Sequence, residues 1–369
     1  VEDTTGSRPL LPVVRAQLAV VAELAHGAGG PLGERLVGLA AEYAQFVAWM
    51  CQDSGDLAAA LAWYDRAHAW ALEAGDARLA ATTLSMRAHQ AWSIGDGRAC
   101  VRLAEAARGL MIHRLEGPVF GYEIPQDRLH RDAETRYVDE ILRIILDRDD
   151  APLHRPRAIA DRFVGVCSDF ALLLCSFLRH FGVPARLRIG FADYLGPAGF
   201  HYDHVVTEYW DAERGWRLAD AQLLDPRVAA AHGIDFDPMD VPRDRFLVSG
   251  VAWRLARAGE AAPDTFGLPD VWPGEWWLPR NVRLDLAAVN RAETLLWDWW
   301  GPDPGPFGAM TDAVRELFDE AALLTGDEVP FAAARERFTA RDDLRPPRTV
   351  VTWGLYHGPV EVTLRPLSG

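Results

Sequence analysis

Gly165-Val-Cys167-Ser-Asp169-Phe-Ala171-Leu-Leu-Leu-Cys175-Ser-Phe177-Leu-Arg179-His-Phe-Gly182-Val-Pro184-Ala-Arg186 reads as a helix that begins at a cysteine and stops at a glycine. Phe170, Leu173, Leu174, Phe177 and Leu178 recur at helical spacing, so one face is apolar and belongs in a core. Gly182 and Pro184 end the helix just after His180. Cys167 therefore stands at the N-terminus of a buried helix. There the unpaired backbone N–H groups and the helix dipole favour an anion, and a nucleophilic cysteine works as its thiolate. The same N–H groups are suited to hold a carbonyl oxygen that gains charge.

Downstream the pattern changes to strands. Ala185 to Phe191 is one, and His201 to Trp210 is a second. Asp211 to Gly215 is a turn, and Trp216 to Asp220 runs back. Period-two alternation puts His204, Val206 and Glu208 on one face, with Trp216, Leu218 and Asp220 on the facing positions. A hairpin with so short a loop brings His204 close to Asp220. An imidazole and a carboxylate then meet on a sheet, with a thiol at a helix end before them. Nucleophilic catalysis needs that order of groups: a base beside the nucleophile and a carboxylate orienting the base.

Working outward, the chain has 369 residues, 38 basic and 53 acidic, for a net charge of −15. Every basic residue is arginine, and there is no lysine. Such usage fits a GC-rich genome. The length suggests two domains or three. A hydrophobic fraction of 49% excludes disorder for most of the chain. The acidity argues against non-specific binding to nucleic acid and against docking on an anionic membrane. Cys51, Cys100, Cys167 and Cys175 form no CxxC pair, and no His/Cys cluster has zinc spacing. No metal or organic cofactor is expected. The acidic, polar first residues lack the pattern of a secretory leader. A reduced, cytoplasmic setting is the expectation.

Residues 1–115 read as helix after helix. Gly55-Asp56, Gly75-Asp76 and Gly95-Asp96 recur at a fixed interval, with apolar residues at helical spacing between them. A left-handed glycine ends one helix and the aspartate caps the next. The block is similar to tetratricopeptide-type repeats, with a longer period, and is expected to be a structural or partner-binding layer. Residues 116–225 hold the helix and strands above. Residues 226–369 form a Trp-rich extension expected to pack on that core, with helices around 285–299 and 309–323. A last hairpin is expected from Thr349–Trp353 and Val360–Leu364.

The middle segment resembles the transglutaminase-like superfamily. The resemblance rests on Gly165, Cys167, Ala171, Arg179, Gly182, Pro184, Ala185, Arg186, His204, Glu208, Gly215, Trp216 and Asp220, in that order and spacing. It implies an α+β, papain-like fold in which the Cys-bearing helix packs on an antiparallel sheet. It also implies Cys167 as nucleophile, His204 as general base and acid, and Asp220 as the orienting carboxylate. The superfamily includes crosslinking acyltransferases, peptidases, amidases and members without activity. The implied partner is a peptide, protein or small amide or ester. Two positions depart from the usual pattern: Val206 stands where tryptophan is frequent, and Ala221-Gln222 where Pro-Thr is. The C-terminal part resembles bacterial members of the superfamily.

Other residues divide between functional and structural readings. His201, Tyr202, Glu208 and Trp216 are candidate substrate contacts. For Glu208 the alternative is a salt bridge to Arg186 or Arg217. Cys51, Cys100 and Cys175 read as apolar fillers, and Asp169 as a first-turn helix acid. Tyr194–Phe200 is a connection or a lid. Trp272, Trp276, Trp277, Trp297, Trp299 and Trp300 read as packing for the extension before a ligand platform. The competing reading of the whole chain is a catalytically silent scaffold whose helical repeats bind a protein.

Overall fold

Each Gly-Asp step does what its chemistry allows. In the computed structural model, which describes residues 9–93, 97–269, 271, 274–302, 305, 308–326, 329–354 and 356–366, Gly55 and Gly75 take φ of +82° and +71°. Only glycine adopts that backbone without strain. Asp56 then accepts the Ala59 N–H at 3.1 Å and Asp76 the Leu79 N–H at 2.8 Å, capping the helices that follow. The third pair, Gly95-Asp96, lies outside the described residues.

The chain divides into two compact units. One is Val1–Cys100 with Leu178–Val183 and Asp211–Glu213; the other is Val101–Phe177, Pro184–Trp210 and Arg214–Gly369. In the first, α1 (Leu11–Gly27), α2 (Gly30–Asp53), α3 (Leu57–Glu73) and α4 (Ala77–Ser93) pack each on the next. Their interface is built of small side chains, with Ala40, Ala44, Ala48, Cys51, Ala60 and Ala67 buried around Tyr64. Such residues let helix axes come close, and Cys51 serves there as a filler. Next comes α5 (Gly97–Leu110).

The second unit is mixed helix and sheet, as expected of an α+β fold. β1 (Met111–His113) and β2 (Phe163–Gly165) form a parallel pair, with Met111 opposite Phe163 and His113 opposite Gly165. Between them lies α6 (Val138–Arg148), and β2 leads into α7 (Cys167–His180). The main sheet runs β5 (Gly215–Ala219), β4 (His201–Asp211), β3 (Ala185–Ala192) and β6 (Phe246–Val248). The β3–β4 and β3–β6 pairs are antiparallel. After α8 (Ser249–Arg257), β7 (Phe266–Gly267) pairs with the start of β4.

Alternation along β3 and β4 sorts the core into two parts. Ile189 and Val205 pack with Val166, Cys167 and Ala171 and with Leu284, Ala287 and Ala288 of α9 (Trp277–Val289). Val206 goes instead with Leu218, Tyr194, Phe246 and Val248. Thr207 ties β4 to α7 by donating to the Ala171 carbonyl at 2.9 Å.

The C-terminal part contributes β8 (Asp298–Trp299), α10 (Asp312–Leu324), α11 (Phe331–Ala340), β9 (Thr349–Trp353) and β10 (Pro359–Thr363). The expected hairpin forms, with Val360 opposite Thr352 and Val362 opposite Val350. The helix expected at 309–323 is α10. The one expected at 285–299 ends earlier, because α9 stops at Val289 and Arg291 turns left-handed at φ +63°. Leu295, Leu296, Trp297 and Trp300 are buried all the same. An apolar run reports burial, and here the burial belongs to a connection and a short strand. Trp276 packs on Trp277 and Trp299, and Trp299 on Trp353, so these side chains fill space between C-terminal elements. Trp272 lies outside the described residues.

Candidate active site

Gly165 and Asp169 set the start of α7. A β-carbon at Gly165 would stand 2.8 Å from both Asp169 Oδ2 and Met111 Cε, so the strand passes the helix only without a side chain. Asp169 Oδ2 accepts the Val166 N–H at 2.8 Å, the reach-back half of a capping box. Burial pushes the Asp169 carboxyl up to about 8, with Asp132 and Glu134 adding to it and the Val166 bond opposing. Near neutral pH it is largely uncharged, and little negative charge opposes an anion at Cys167.

Cys167 is the first residue of α7 and is 8% exposed; His204 and Asp220 are 1% and 2% exposed. His204 Nε2 meets Asp220 Oδ2 at 2.7 Å, and the imidazole also hydrogen-bonds the Cys167 side chain. With Nε2 held by the carboxylate, Nδ1 is left for the thiol. Burial opposes a charged ring, but the charge and hydrogen bond of Asp220, joined by Cys167, outweigh it and raise His204 to about 10. The imidazolium is therefore the stable form of this ring at neutral pH.

Asp220 is fixed on every side. Its Oδ1 accepts the Gln222 N–H at 3.1 Å, its own N–H donates to Pro238, and its Oδ2 accepts the Tyr194 hydroxyl at 3.0 Å. Burial and the neighbouring carboxylate hold Tyr194 well above its ordinary pKa, so it remains a donor. Its ring meets those of His204 and Phe236 edge-on. Tyr194 was legible in sequence only as the start of a loop, because nothing local says its hydroxyl reaches Asp220.

The remaining candidates go elsewhere. His201 lies on the opposite face of β4 from His204, stacked on Phe266 with 4.7 Å between centroids. Tyr202 packs edge-on against Phe200 and over Gly196, where any β-carbon would strike its ring. Glu208 is fully buried and accepts from Arg186 at 2.5 Å, Arg188 at 3.0 Å and Arg243 at 2.7 Å. Burial alone would raise its pKa; the arginines overcome that and hold it at about 2. Arg217 pairs with Asp240 instead. Trp216 lies under the Arg186 guanidinium at 4.4 Å and against Trp210. Glu208 and Trp216 thus share one arginine in a second cluster, while Cys167, His204 and Asp220 come together in the first.

Residues 132–221 match the model of the transglutaminase-like superfamily. The matched segment begins before α6, contains α7 and the β3–β5 strands, and ends one residue past Asp220. The N-terminal helices and the Trp-rich part lie outside it. No curated protein and no solved structure matches the chain. Val206, at a position where the transglutaminase-like pattern often has tryptophan, fills the cluster with Leu218. Gln222 supplies a backbone donor to Asp220. Among the described residues no group of three or more His, Cys, Asp and Glu side chains could hold a metal ion, and no helix is long and apolar enough to cross a membrane.

Proposed function

We propose that the protein is a thiol acyl-transfer enzyme acting on an amide or ester of a peptide, protein or small molecule. The observation that carries this reading is the chain of contacts from Cys167 through His204 to Asp220, with the thiol on the first residue of a buried helix. Cys167 attacks the substrate carbonyl as its thiolate, the thiol proton resting on the His204 imidazolium. The S–C bond forms, and the carbonyl π pair moves to oxygen, near the first N–H groups of α7. Collapse of this intermediate expels the amine or alkoxide, which takes the proton from His204. Water or an amine then gives a proton back to His204 and resolves the thioester. Asp220 keeps the ring in the tautomer and orientation that both transfers need.

All four cysteines are free, so the Cys167 thiol is not tied up in a disulfide. The lack of lysine leaves the chain no side-chain amine to capture its own thioester, so incubation is expected to yield no side-chain-linked dimers. The deciding measurement is intact mass and nitrophenolate release during incubation with p-nitrophenyl acetate. One acetyl group on Cys167, absent from Cys167→Ala, supports the reading. Equal acetylation of the other three cysteines with Cys167 untouched overturns it.

A further inference from the structure

One acceptor site for a developing oxyanion is incomplete with the Cys167 N–H alone, since such sites work with two or more aimed donors. Near Asp220 one side-chain donor is already committed. The Tyr194 hydroxyl is spent on Asp220. His113 is not committed in this way. It ends β1, directly opposite Gly165 in the parallel register, two residues before Cys167. The Arg114 N–H donates to the Gly165 carbonyl at 2.9 Å, which pins this end of β1 to the approach to α7.

The ring is also set in one tautomer. The Leu115 N–H donates to His113 Nδ1 at 3.2 Å, so Nδ1 presents a lone pair and the neutral ring carries its proton on Nε2. Among the described residues Nε2 meets no acceptor. The backbone is held from behind: the His113 N–H donates at 3.0 Å to Glu116, which is buried and clamped at 2.9 Å by Arg108. Burial lowers His113 to about 3, and the charges of Arg114, His204, Arg108 and His232 push the same way. The ring is therefore a neutral donor at any working pH, within electrostatic reach of His204.

We infer that the Nε2–H of His113, with the Cys167 N–H, holds the oxyanion formed when Cys167 attacks a carbonyl. The inference rests on the acyl-transfer reading. His113 transfers no proton: as the C=O π pair moves to oxygen its N–H bond stays intact and only the hydrogen bond shortens. When the pair returns and the leaving group departs with the His204 proton, the bond relaxes. A neutral imidazole suits this work, because a second imidazolium beside that of His204 would repel it.

The experiment compares two reagents on the full-length protein. Acetylation of Cys167 by p-nitrophenyl acetate passes through an oxyanion; alkylation by iodoacetamide does not. His113→Phe keeps a flat ring without the donor, and His113→Gln keeps an N–H. His113→Phe is expected to slow acetylation about 10²- to 10³-fold, with alkylation of Cys167 within about twofold of the parent. His113→Gln is expected to recover at least about tenfold of the loss. Unchanged acetylation in His113→Phe, or acetylation and alkylation falling together, overturns the inference while leaving the acyl-transfer reading intact. Loss that His113→Gln does not restore also overturns it. A parent protein that is alkylated but never acetylated at Cys167 overturns the underlying reading, and this inference with it.

Discussion

His204 and Glu208 lie on the same strand, four residues apart and on the same face, and each anchors a buried charge cluster. Around Glu208 every partner is a permanent cation: Arg186, Arg188 and Arg243 converge on one carboxylate, and Arg188 continues to Asp285 at 3.0 Å. Around His204 one partner is a carboxylate and the other a thiol that can give up a proton. The first cluster joins β3, β4 and α9 through guanidinium groups and carboxylates, with no nucleophile among them. The second contains a proton that can move and a nucleophile at a helix end. Burial and ion pairing alone therefore do not mark a site; a titratable group with a reactive neighbour does.

The comparison can be broken in several ways. The largest effect is expected from Cys167→Ala, which should reduce acetylation to the uncatalysed rate while urea unfolding is little changed. Asp220→Asn should lower the acetylation rate by about 10³- to 10⁴-fold with the fold retained, since the ring then loses both its orientation and the carboxylate that supports its imidazolium form. Near-parental acetylation in Asp220→Asn would remove the carboxylate from the reading. In the other cluster, Arg188→Met should leave acetylation per folded molecule within about twofold but cost about 3–5 kcal/mol of stability, read as a lower urea midpoint. If it instead abolished acetylation and left the midpoint unchanged, the assignment of the two clusters would be reversed.

The same contrast predicts opposite pH responses. His204 is raised from 6.5 to about 10, so its contribution is complete below pH 6.5 and lost as pH rises through about 10. Glu208 is lowered from 4.5 to about 2, so its contribution is complete above pH 4.5 and lost as pH falls through about 2. Urea midpoints across pH should therefore show an alkaline loss that Asp220→Asn flattens and an acid loss that Arg188→Met weakens. The smallest effect is expected from Tyr194→Phe. Losing one hydrogen bond to a charged group, about 1.5 kcal/mol, should slow acetylation roughly tenfold, provided Tyr194 acts by positioning Asp220. Alkylation of Cys167 by iodoacetamide should stay near parental, which loss of packing would not spare.

Much of the candidate site was legible because its parts are local. Cys167 follows from a helix start, and the His204–Asp220 pair follows from a short hairpin whose alternation is written in the residues. The Gly-Asp steps of the N-terminal helices were legible for the same reason, each being a turn and a cap within a few residues. The error at 285–299 shows the limit. Leu295, Leu296 and Trp297 signal burial, but Arg291 in the left-handed region had already ended the helix, and an arginine gives no local warning of that.

By itself, the amino-acid sequence determined the pattern of helices and strands in the middle segment, the α+β class, and the order thiol, imidazole, carboxylate. These depend on periodicity and on neighbours within one hairpin. Only the tertiary structure decided that Tyr194 completes the shell of Asp220, that three arginines enclose Glu208, and that His113 on β1 stands beside the approach to Cys167. Those contacts join segments far apart in the chain. Their energy comes from desolvated charges and hydrogen bonds that exist only once the sheet and α7 have closed the space between them.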